Sequence, residues 1–443
     1  MSELPVAAPP QLPAVASRLR PRVDRVRVVA EAGQAVLVWF ALLVVYTGHR
    51  PLTHAGFLAV ILAAGVWLVA LRCTVMPGRA VLGRAVGDGV GTAVGLVVVA
   101  ALNSSTVGLD VSPATLAAAG VAVFSSVTCW GWFVDQVLAT RRRVLLVGSE
   151  EVGTLLAGEL NSCRHARYDV VGAVPGAQEL AEIVEAQRPD IVVLTDEATY
   201  GPALERLLDA RANVRVTGFE SFFEYAFGRV PIDQITPAWF MSLLHPRQRV
   251  YTKFAKRTFD VAVAIVLLVL SAPLILLASL ATKLSGGPIL YRQTRLGEGG
   301  RRFTIYKFRT MTCDAERDGA EFARANDPRI TRVGRFLRRT HLDELPQLWN
   351  VFEGDMSVVG PRPERPEFIA QIEEAVPFWN RRILVKPGIT GWAQVRCGYA
   401  NEVEDMETKL SYDLWYLRHG SMLVDLAVCV LTLSAVLGRP ARP

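Results

Sequence analysis

The apolar residues of this chain fall into long runs, and their distribution constrains the fold more than any other feature. The runs crowd the first 140 residues and recur near residues 260–282. The 443-residue chain is 51% hydrophobic with a mean hydropathy of +0.28. A membrane-spanning helix needs about 20 consecutive apolar residues, whereas a water-soluble core does not. The distribution therefore predicts a multi-domain membrane protein with additional domains in water.

Four N-terminal segments are long enough to span a bilayer: 28–48, 53–72, 86–102 and 114–138. They predict an N-terminal α-helical transmembrane bundle over residues 28–140. Residues 1–27 precede it, begin with a Pro/Ala-rich stretch and are predicted to form a disordered cytoplasmic N-terminus. This stretch has no short basic segment followed by an apolar core and a cleavage site, so it is not expected to be a cleaved signal peptide.

Arginines indicate the orientation of these spans. They cluster before the first span, between the second and third, and after the fourth: Arg18, Arg20, Arg22, Arg25, Arg27, Arg72, Arg79, Arg84, Arg141, Arg142 and Arg143. The positive-inside rule places the N-terminus and everything after residue 140 in the cytoplasm. Asp88 and Asp135 lie near span ends, where an interfacial position is favoured over a proton relay.

Charge and cysteine usage exclude several classes of function. Arginine supplies 42 of the 48 basic residues and the net charge is +6, but no basic–aromatic repeat or zinc-finger spacing predicts a nucleic-acid partner. Contact with anionic lipid and phosphate explains the arginines better. None of the six cysteines is paired at CxxC spacing and no HExxH pair occurs, so we expect reduced thiols and no zinc.

Strands alternate with helices between residues 141 and 248, which predicts a doubly wound parallel sheet, that is, a middle α/β Rossmann-like domain. Gly148 and Gly153 do not form the GxGxxG pattern that lets a backbone approach a pyrophosphate. Glu150 and Glu151 place negative charge where a phosphate would bind. A degenerate domain with a structural or regulatory role is favoured over a working NAD site.

A second kind of membrane segment is predicted at residues 258–283, within a C-terminal domain over residues 249–443. The segment is long enough to span, but lysines and arginines flank both of its ends, so neither end should cross the membrane. Pro273 lies in its middle and removes one helical hydrogen bond. These features predict a re-entrant helix–break–helix that enters one leaflet.

Adjacent carboxylates at Asp343 and Glu344 precede a Gly/Pro-rich loop that carries Arg362. Phosphoryl transfer requires an oxygen nucleophile or metal ligand and a guanidinium that fits phosphate oxygens. Such acidic pairs also occur on solvated helix faces, so the surrounding residues must distinguish a catalytic pair from a surface pair. Lys307 and Arg309 alternate with aromatic residues in a predicted strand and should therefore share one face.

Three sequence blocks surround these residues in a fixed order: Tyr306 to Met311, Leu342 to Pro363, and Lys386 to Val395. Together they resemble the bacterial sugar transferase family, the polyprenyl-phosphate glycosyl-1-phosphate transferases, over about residues 251–439. The spans and middle domain resemble those of the long members of this family. The expected fold is therefore a transmembrane bundle, a Rossmann-like domain and a C-terminal α/β monotopic catalytic domain in the bacterial plasma membrane.

The resemblance implies transfer of a sugar 1-phosphate from a UDP-sugar to polyprenyl phosphate with release of UMP. This reaction would initiate synthesis of an exopolysaccharide, capsule or O-antigen-type glycan. The partners would be both substrates and the lipid bilayer, with no nucleic acid; a homo-oligomer is left open. The chain alone does not specify the sugar.

The resemblance also assigns roles to residues. Asp343 is expected to be the nucleophile, and Glu344 a metal ligand or acid/base partner, with both residues holding Mg²⁺. The phosphate contacts are expected from Lys307, Arg309, Arg338, Arg362 and Asp413. Arg338 requires a turn near Thr340 to face Asp343. Ser271 and Pro273 mark the re-entrant break, with the serine displaced by one residue from the Ser-Pro of the family.

Three alternatives compete with this function. A membrane-anchored nucleotide-sugar-modifying enzyme such as a dehydratase would need GxxGxxG and Tyr-x-x-x-Lys, and a processive glycosyltransferase would normally carry Asp-x-Asp; none of these motifs occurs. A catalytically inactive assembly scaffold is compatible with the composition.

Overall fold

The structure, a computed structural model, describes residues 33–42, 44, 112–133, 141–162, 168–176, 178, 180–209, 214–235, 239–241, 253–315, 317, 327–397 and 403–438, and single residues between 60 and 99. The chain divides into two compact units, Met1–Gly228 and Arg229–Pro443. The predicted N-terminal tail, residues 1–27, lies outside the described residues.

Two apolar helices are described near the N-terminus, α1 (Gly33–Leu42) and α2 (Pro113–Phe133). Helix α2 lies mostly within the fourth predicted span and, by length and composition, is one of two described helices that could cross a membrane. Buried residues of α1 and α2 form one hydrophobic cluster with Trp67 and Val99, from the second and third predicted spans. The rest of these spans lies outside the described residues.

A four-stranded parallel sheet follows, which confirms the predicted parallel α/β arrangement. Its order is β2-β1-β3-β4, and its strands are β1 (Arg142–Val147), β2 (Tyr168–Val174), β3 (Ile191–Leu194) and β4 (Arg215–Gly218). The helices are α3 (Glu150–Ser162), α4 (Leu180–Gln187), α5 (Tyr200–Asp209) and α6 (Phe219–Phe227).

Apolar side chains of β1 point alternately to two cores. Val144 and Leu146 pack with residues of α3 and α6, whereas Leu145 and Val147 pack with residues of α4 and α5. Helices therefore cover both faces of the sheet, which explains the nearly continuous apolar sequence of β1 and β3.

The second unit contains a 32-residue helix, α7 (Lys253–Leu284), which passes through Pro273 without interruption. The structure therefore has one continuous helix where two helices separated by a break were predicted. One lost hydrogen bond at Pro273 does not end a long apolar helix, although it weakens the helix locally. Ser271 Oγ donates to Leu267 O at 2.6 Å, a local bond that favours bending of a helix.

Both ends of α7 contact the rest of the second unit, whereas the middle of the helix is apolar and exposed. Asp260 accepts a hydrogen bond from Ser357 Oγ at 2.9 Å, and Thr282 O accepts one from Arg309 at 3.2 Å. Between them, Leu270 and Leu276 are 70% and 71% exposed. An apolar surface of this kind marks a contact with lipid or another partner.

The remainder of the second unit surrounds one large core. Strands β5 (Leu290–Leu296) and β6 (Arg302–Phe308) form an antiparallel hairpin, and β7 (Ser357–Val359) pairs in parallel with β8 (Gly388–Thr390). The helices are α8 (Arg332–Arg339), α9 (Gln347–Glu353), α10 (Pro366–Ala375), α11 (Trp392–Cys397), α12 (Val403–His419) and α13 (Met422–Gly438).

The second unit begins at Arg229, before the domain boundary predicted at residue 249. Val230 and Trp239 lie within the predicted middle domain in sequence, but they belong to the core of the second unit. Val230 N donates to Ser411 O at 3.1 Å, and Ser411 Oγ donates to Val230 O at 2.5 Å, so α12 holds this segment through two hydrogen bonds.

Candidate active site

The acidic pair lies on a short 3₁₀ turn, Leu342–Glu344, between α8 and α9. Helix α8 ends at Arg339, and His341 then takes a left-handed conformation with φ of 55°. Few residues other than glycine adopt this conformation, and histidine does so more readily than β-branched residues. This change of direction is the turn near Thr340 that Arg338 requires in order to face Asp343.

Asn350 of α9 holds the acidic turn beside β6. Its Oδ1 accepts from Tyr306 N at 3.0 Å, and its Nδ2 donates to Thr304 O at 2.7 Å. The side chain thus bonds to main-chain groups of β6 on either side of Ile305. Phe303 and Ile305 face the core, and Lys307 extends the same face of the strand toward the acidic turn.

Glu344 forms ion pairs with two cations from distant parts of the chain. Its Oε1 accepts from Lys307 Nζ at 2.8 Å and from Arg362 Nη2 at 2.9 Å. The side chain of Glu344 is only 13% exposed. Burial by itself would raise its pKa, but the charges of Arg362 and Lys307 outweigh burial and hold the pKa of Glu344 well below its usual range. Glu344 is therefore a carboxylate at neutral pH.

Asp343 differs from its neighbour because its carboxylate makes no hydrogen bond or ion pair with any residue that the structure describes. Burial, followed by the negative charge of Glu344, raises the pKa of Asp343 to about 6, although Lys307, Arg338 and Arg362 oppose the increase. The charges of three cations therefore act on this carboxylate, and its oxygens are not used by another described side chain. Such an oxygen can attack phosphorus or bind a cation.

Arg338 approaches this site from α8. Its Nε donates to Thr310 Oγ1 at 2.8 Å, and its charge lowers the pKa of Asp343. One turn earlier, Gly334 packs directly on the main chain of Thr310, where a Cβ atom would overlap the Thr310 carbonyl. This close contact fixes α8, and with it Arg338, against the end of β6.

The structure gives Arg309 contacts other than the predicted phosphate contact. Strand β6 ends at Phe308, so the alternation that would place Arg309 beside Lys307 stops there. Its Nη2 donates to Thr282 O at 3.2 Å and to Ser285 Oγ at 2.9 Å. Arg309 thus caps the C-terminal end of α7, where carbonyls lack helical partners. It does not join the acidic pair.

Asp413 also lies away from the predicted phosphate contacts. Its Oδ2 accepts from Arg382 Nε at 2.6 Å, and the two side chains are 2% and 4% exposed. A carboxylate has no hydrogen to donate to a phosphate oxygen and repels the charge of a phosphate. Asp413 acts on Arg382 instead.

Sequence reasoning missed the charged residues that surround the backbone of the Arg362 loop: Arg295, Glu364, Arg382 and Lys409. Arg382 donates to Arg362 O at 3.1 Å, and Arg295 donates to Pro363 O at 3.0 Å. No local pattern separates Arg382 from its exposed neighbour Arg381, so the sequence carried no signal for this role.

The two carboxylates provide a partial set of magnesium ligands. No cluster of three or more His, Cys, Asp or Glu side chains suited to a metal occurs among the described residues. Magnesium commonly uses one or two carboxylates and completes its shell with water and substrate phosphates. Asp343 has both oxygens available, whereas Glu344 Oε1 is already bonded to Lys307 and Arg362. The residues therefore fit the ion together with a bound diphosphate.

The first unit has a glycine turn at the edge where nucleotide folds bind ligands, between the carboxyl ends of β1 and β3. Gly148 has φ of 121°, which favours glycine. Thr195 Oγ1 lies 3.1 Å from Val147 O and 3.3 Å from Ser149 O, so this hydroxyl bridges the two strand ends. Glu150 and Glu151 follow, both exposed in the first turn of α3.

Comparison with known proteins adds a family match over the second unit. The model described as bacterial sugar transferase matches residues 251–439, which include the acidic turn, Lys307 and the Arg362 loop. The chain is also 40% identical over 257 residues to a UDP-N-acetylgalactosamine-undecaprenyl-phosphate N-acetylgalactosaminephosphotransferase of Aeromonas hydrophila. That match covers 57% of this chain and 60% of the relative, which is less than two thirds of the relative's length.

Two relatives named UDP-glucose:undecaprenyl-phosphate glucose-1-phosphate transferase are covered more fully. The protein of Escherichia coli (strain K12) is 32% identical over 320 residues, which are 68% of this chain and 69% of the relative. The protein of Caulobacter vibrioides (strain ATCC 19089 / CIP 103742 / CB 15) is 45% identical over 197 residues, which are 43% of this chain and 73% of the relative.

Proposed function

Because this chain belongs to the bacterial sugar transferase family, we propose that it transfers a sugar 1-phosphate from a UDP-sugar to polyprenyl phosphate. The observation that carries this proposal is the contrast within the acidic pair. Asp343 is an unpaired carboxylate beside Lys307, Arg338 and Arg362, whereas Glu344 is held by two of these cations. The names of the relatives supply the substrate classes, an undecaprenyl phosphate and, for most of them, a UDP-sugar.

The proposed reaction has two steps. A carboxylate oxygen of Asp343 attacks the phosphorus that bears the sugar, and the bond from that phosphorus to the oxygen shared with UMP breaks. UMP leaves with the electron pair, and a glycosyl-phospho-aspartyl intermediate remains. An oxygen of polyprenyl phosphate then attacks the same phosphorus and displaces Asp343, which regenerates the carboxylate. Substitution through a covalent intermediate predicts ping-pong kinetics.

The cations beside Asp343 would stabilise the negative charge of the diphosphate. The planar guanidinium of Arg362 offers paired donors to phosphate oxygens, whereas Lys307 provides a compact positive charge. Glu344 carries a pKa well below its usual range, so it would orient Lys307 and Arg362 rather than donate a proton. Asp343 and Glu344 would hold Mg²⁺, which when bound neutralises diphosphate charge and helps UMP to depart.

The membrane path follows from α7 and the N-terminal helices. The N-terminal end of α7 is held by Lys256, whose Nζ lies 2.6 Å from Asp425 Oδ2, and its C-terminal end is held by Arg309. With both ends on one unit and an apolar middle, α7 would enter and leave the same leaflet by bending at Pro273. The hydrophobic cluster that joins α1, α2, Trp67 and Val99 supports a four-helix anchor, with a Rossmann-like domain after it.

Topology can be tested with a thiol that the protein already contains. Cys313 is exposed in the second unit, close to Arg309. A variant that retains only Cys313 should resist a membrane-impermeant maleimide in intact cells and react after permeabilisation. Labelling of Cys313 from outside the cell would contradict a cytoplasmic catalytic domain and the re-entrant path of α7.

Release of UMP tests the function directly. Membranes that contain the protein should release UMP from a UDP-sugar when polyprenyl phosphate is added, and the sugar phosphate should appear on the lipid. The panel is UDP-glucose, UDP-galactose and UDP-N-acetylgalactosamine, the sugars in the names of the relatives. A wild-type protein that releases no UMP and charges no lipid with any of them would contradict the proposal. Success would place the protein at the first step of a surface glycan.

A further inference from the structure

Three consecutive carbonyls of the Arg362 loop are held by hydrogen bonds from two other parts of the second unit, strand β5 and the 3₁₀ turn Trp379–Leu384. Arg362 O accepts from Arg382 Nη2 at 3.1 Å, Pro363 O from Arg295 Nη1 at 3.0 Å, and Glu364 O from Leu296 N at 3.1 Å. Prolines on both sides of Arg362 restrict its backbone further. The loop that presents Arg362 to Glu344 therefore has little freedom left.

Arg382 is itself held from several directions. Its Nε donates to Asp413 Oδ2 at 2.6 Å, and its Nη1 lies 3.3 Å from Glu364 Oε1. The guanidinium carbon lies 4.1 Å from the ring centre of the buried Trp379. Lys409 Nζ, 2.9 Å from the same Glu364 oxygen, is a second cation in this network. The guanidinium of Arg382 thus contacts two carboxylates, those of Asp413 and Glu364, and donates to one carbonyl, Arg362 O.

A contribution to stability alone does not account for this network. A buried ion pair contributes little to stability, because the cost of removing both charges from water offsets their attraction. Its geometry, however, fixes a direction: Asp413 orients Arg382, and Arg382 orients the peptide that follows the Cα of Arg362. The Arg362 side chain ends 2.9 Å from Glu344 Oε1, beside Asp343.

We propose that Arg382, oriented by Asp413, is a positioning residue that sets the guanidinium of Arg362 for contact with the substrate diphosphate. The inference rests on the proposed transferase function and assigns Arg382 no contact with the reacting atoms. Asp413 would then act two residues away from the chemistry, through Arg382 and Arg362. A misplacement of about 1 Å at a group that binds the transition state costs about a hundredfold in rate.

The test is a double-mutant cycle on UMP release by the full-length protein in membranes, with radiolabelled UDP-sugar and polyprenyl phosphate. Arg382→Gln should lower kcat/KM about ten- to a hundredfold in the wild-type background, the range found when a group that orients a functional residue is lost. In an Arg362→Ala background the same change should cost less than about threefold, because the residue that it positions is absent.

Arg381→Gln is the matched control, since Arg381 is the exposed neighbour in the same 3₁₀ turn and lies over the Phe240 ring. It should leave kcat/KM unchanged. If Arg382→Gln does not accumulate in membranes, Arg382→Lys enters the same cycle, because it keeps the charge but cannot reach Asp413, Glu364 and Arg362 O together.

The outcomes separate the two proposals. Equal losses from the Arg382 change in both backgrounds would mean that Arg382 acts on the fold as a whole, and would overturn the positioning role while the transferase function stands. A wild-type protein without UMP release would overturn the function and this inference with it. A loss confined to the background that contains Arg362 supports the positioning role.

Discussion

Two pairs of neighbouring acidic residues, one in each unit of this chain, have opposite environments. Glu150 and Glu151 are exposed in the first turn of α3, where negative charge suits the helix N-terminus. Asp343 and Glu344 are partly buried, and cations from 37 and 18 residues away contact Glu344. Similar dipeptides thus lie at an exposed helix end in one unit and in the candidate active site of the other. What distinguishes them is burial together with cations supplied by the tertiary fold.

The largest difference between the two acidic pairs is expected when Asp343 is substituted. Asp343→Asn keeps the size of the side chain and removes its charge, so UMP release should fall at least about a thousandfold, as expected for loss of a covalent nucleophile. Wild-type enzyme given UDP-sugar without lipid should release at most one equivalent of UMP and carry a sugar-phosphate adduct, detectable by mass spectrometry of the intact protein. Near-normal turnover by the variant would instead favour direct attack by the lipid phosphate.

A smaller loss of UMP release is expected when Arg362, which pairs with Glu344, is replaced by a cation of different shape. Arg362→Lys loses the paired donors of guanidinium, and UMP release should fall between about ten- and a hundredfold. Arg301→Lys, at an exposed arginine just before β6, is the control and should have no effect. Equal activity of both variants would show that Arg362 supplies charge alone.

The sequence predicted what is local and missed what depends on tertiary contacts. The parallel sheet follows from alternating strand and helix patterns, and the acidic pair was recognisable from the block that contains Asp343, although its 3₁₀ conformation was not. Alternation along a strand predicts Arg309 on the same face as Lys307, but β6 ends at Phe308, one residue before Arg309. Asp413 and Arg382 are 31 residues apart, and no periodicity pairs a helix residue with a loop residue at that separation.

Acidity offers a third test of the acidic pair in the second unit. Asp343 must be ionised to attack, and burial raises its pKa to about 6, so kcat/KM should fall as the pH drops through that value. Glu344→Gln removes a negative charge that raises the pKa of Asp343, so the acid limb of the residual activity should move to lower pH. A pH profile of UMP release for wild type and variant measures this shift.

Glu373→Gln, at an exposed carboxylate of α10, is the control for the pH profile and should leave the limb in place. A limb that stays fixed or moves to higher pH in Glu344→Gln would mean that Asp343 does not govern the acid side of the profile.

The smallest effect is expected at the acidic pair of the first unit. Glu150→Gln combined with Glu151→Gln should change UMP release by less than about twofold, because neither carboxylate is buried and substitutions at exposed positions have small effects.

The same variant tests whether the charges of Glu150 and Glu151 prevent a dinucleotide from binding at the Gly148 turn. We expect no NAD binding by calorimetry before or after the change, because Thr195 already bridges the ends of β1 and β3. Tight NAD binding by the wild-type protein would contradict a degenerate site. Binding gained only in the variant would show that charge, rather than the Thr195 bridge, closes this edge.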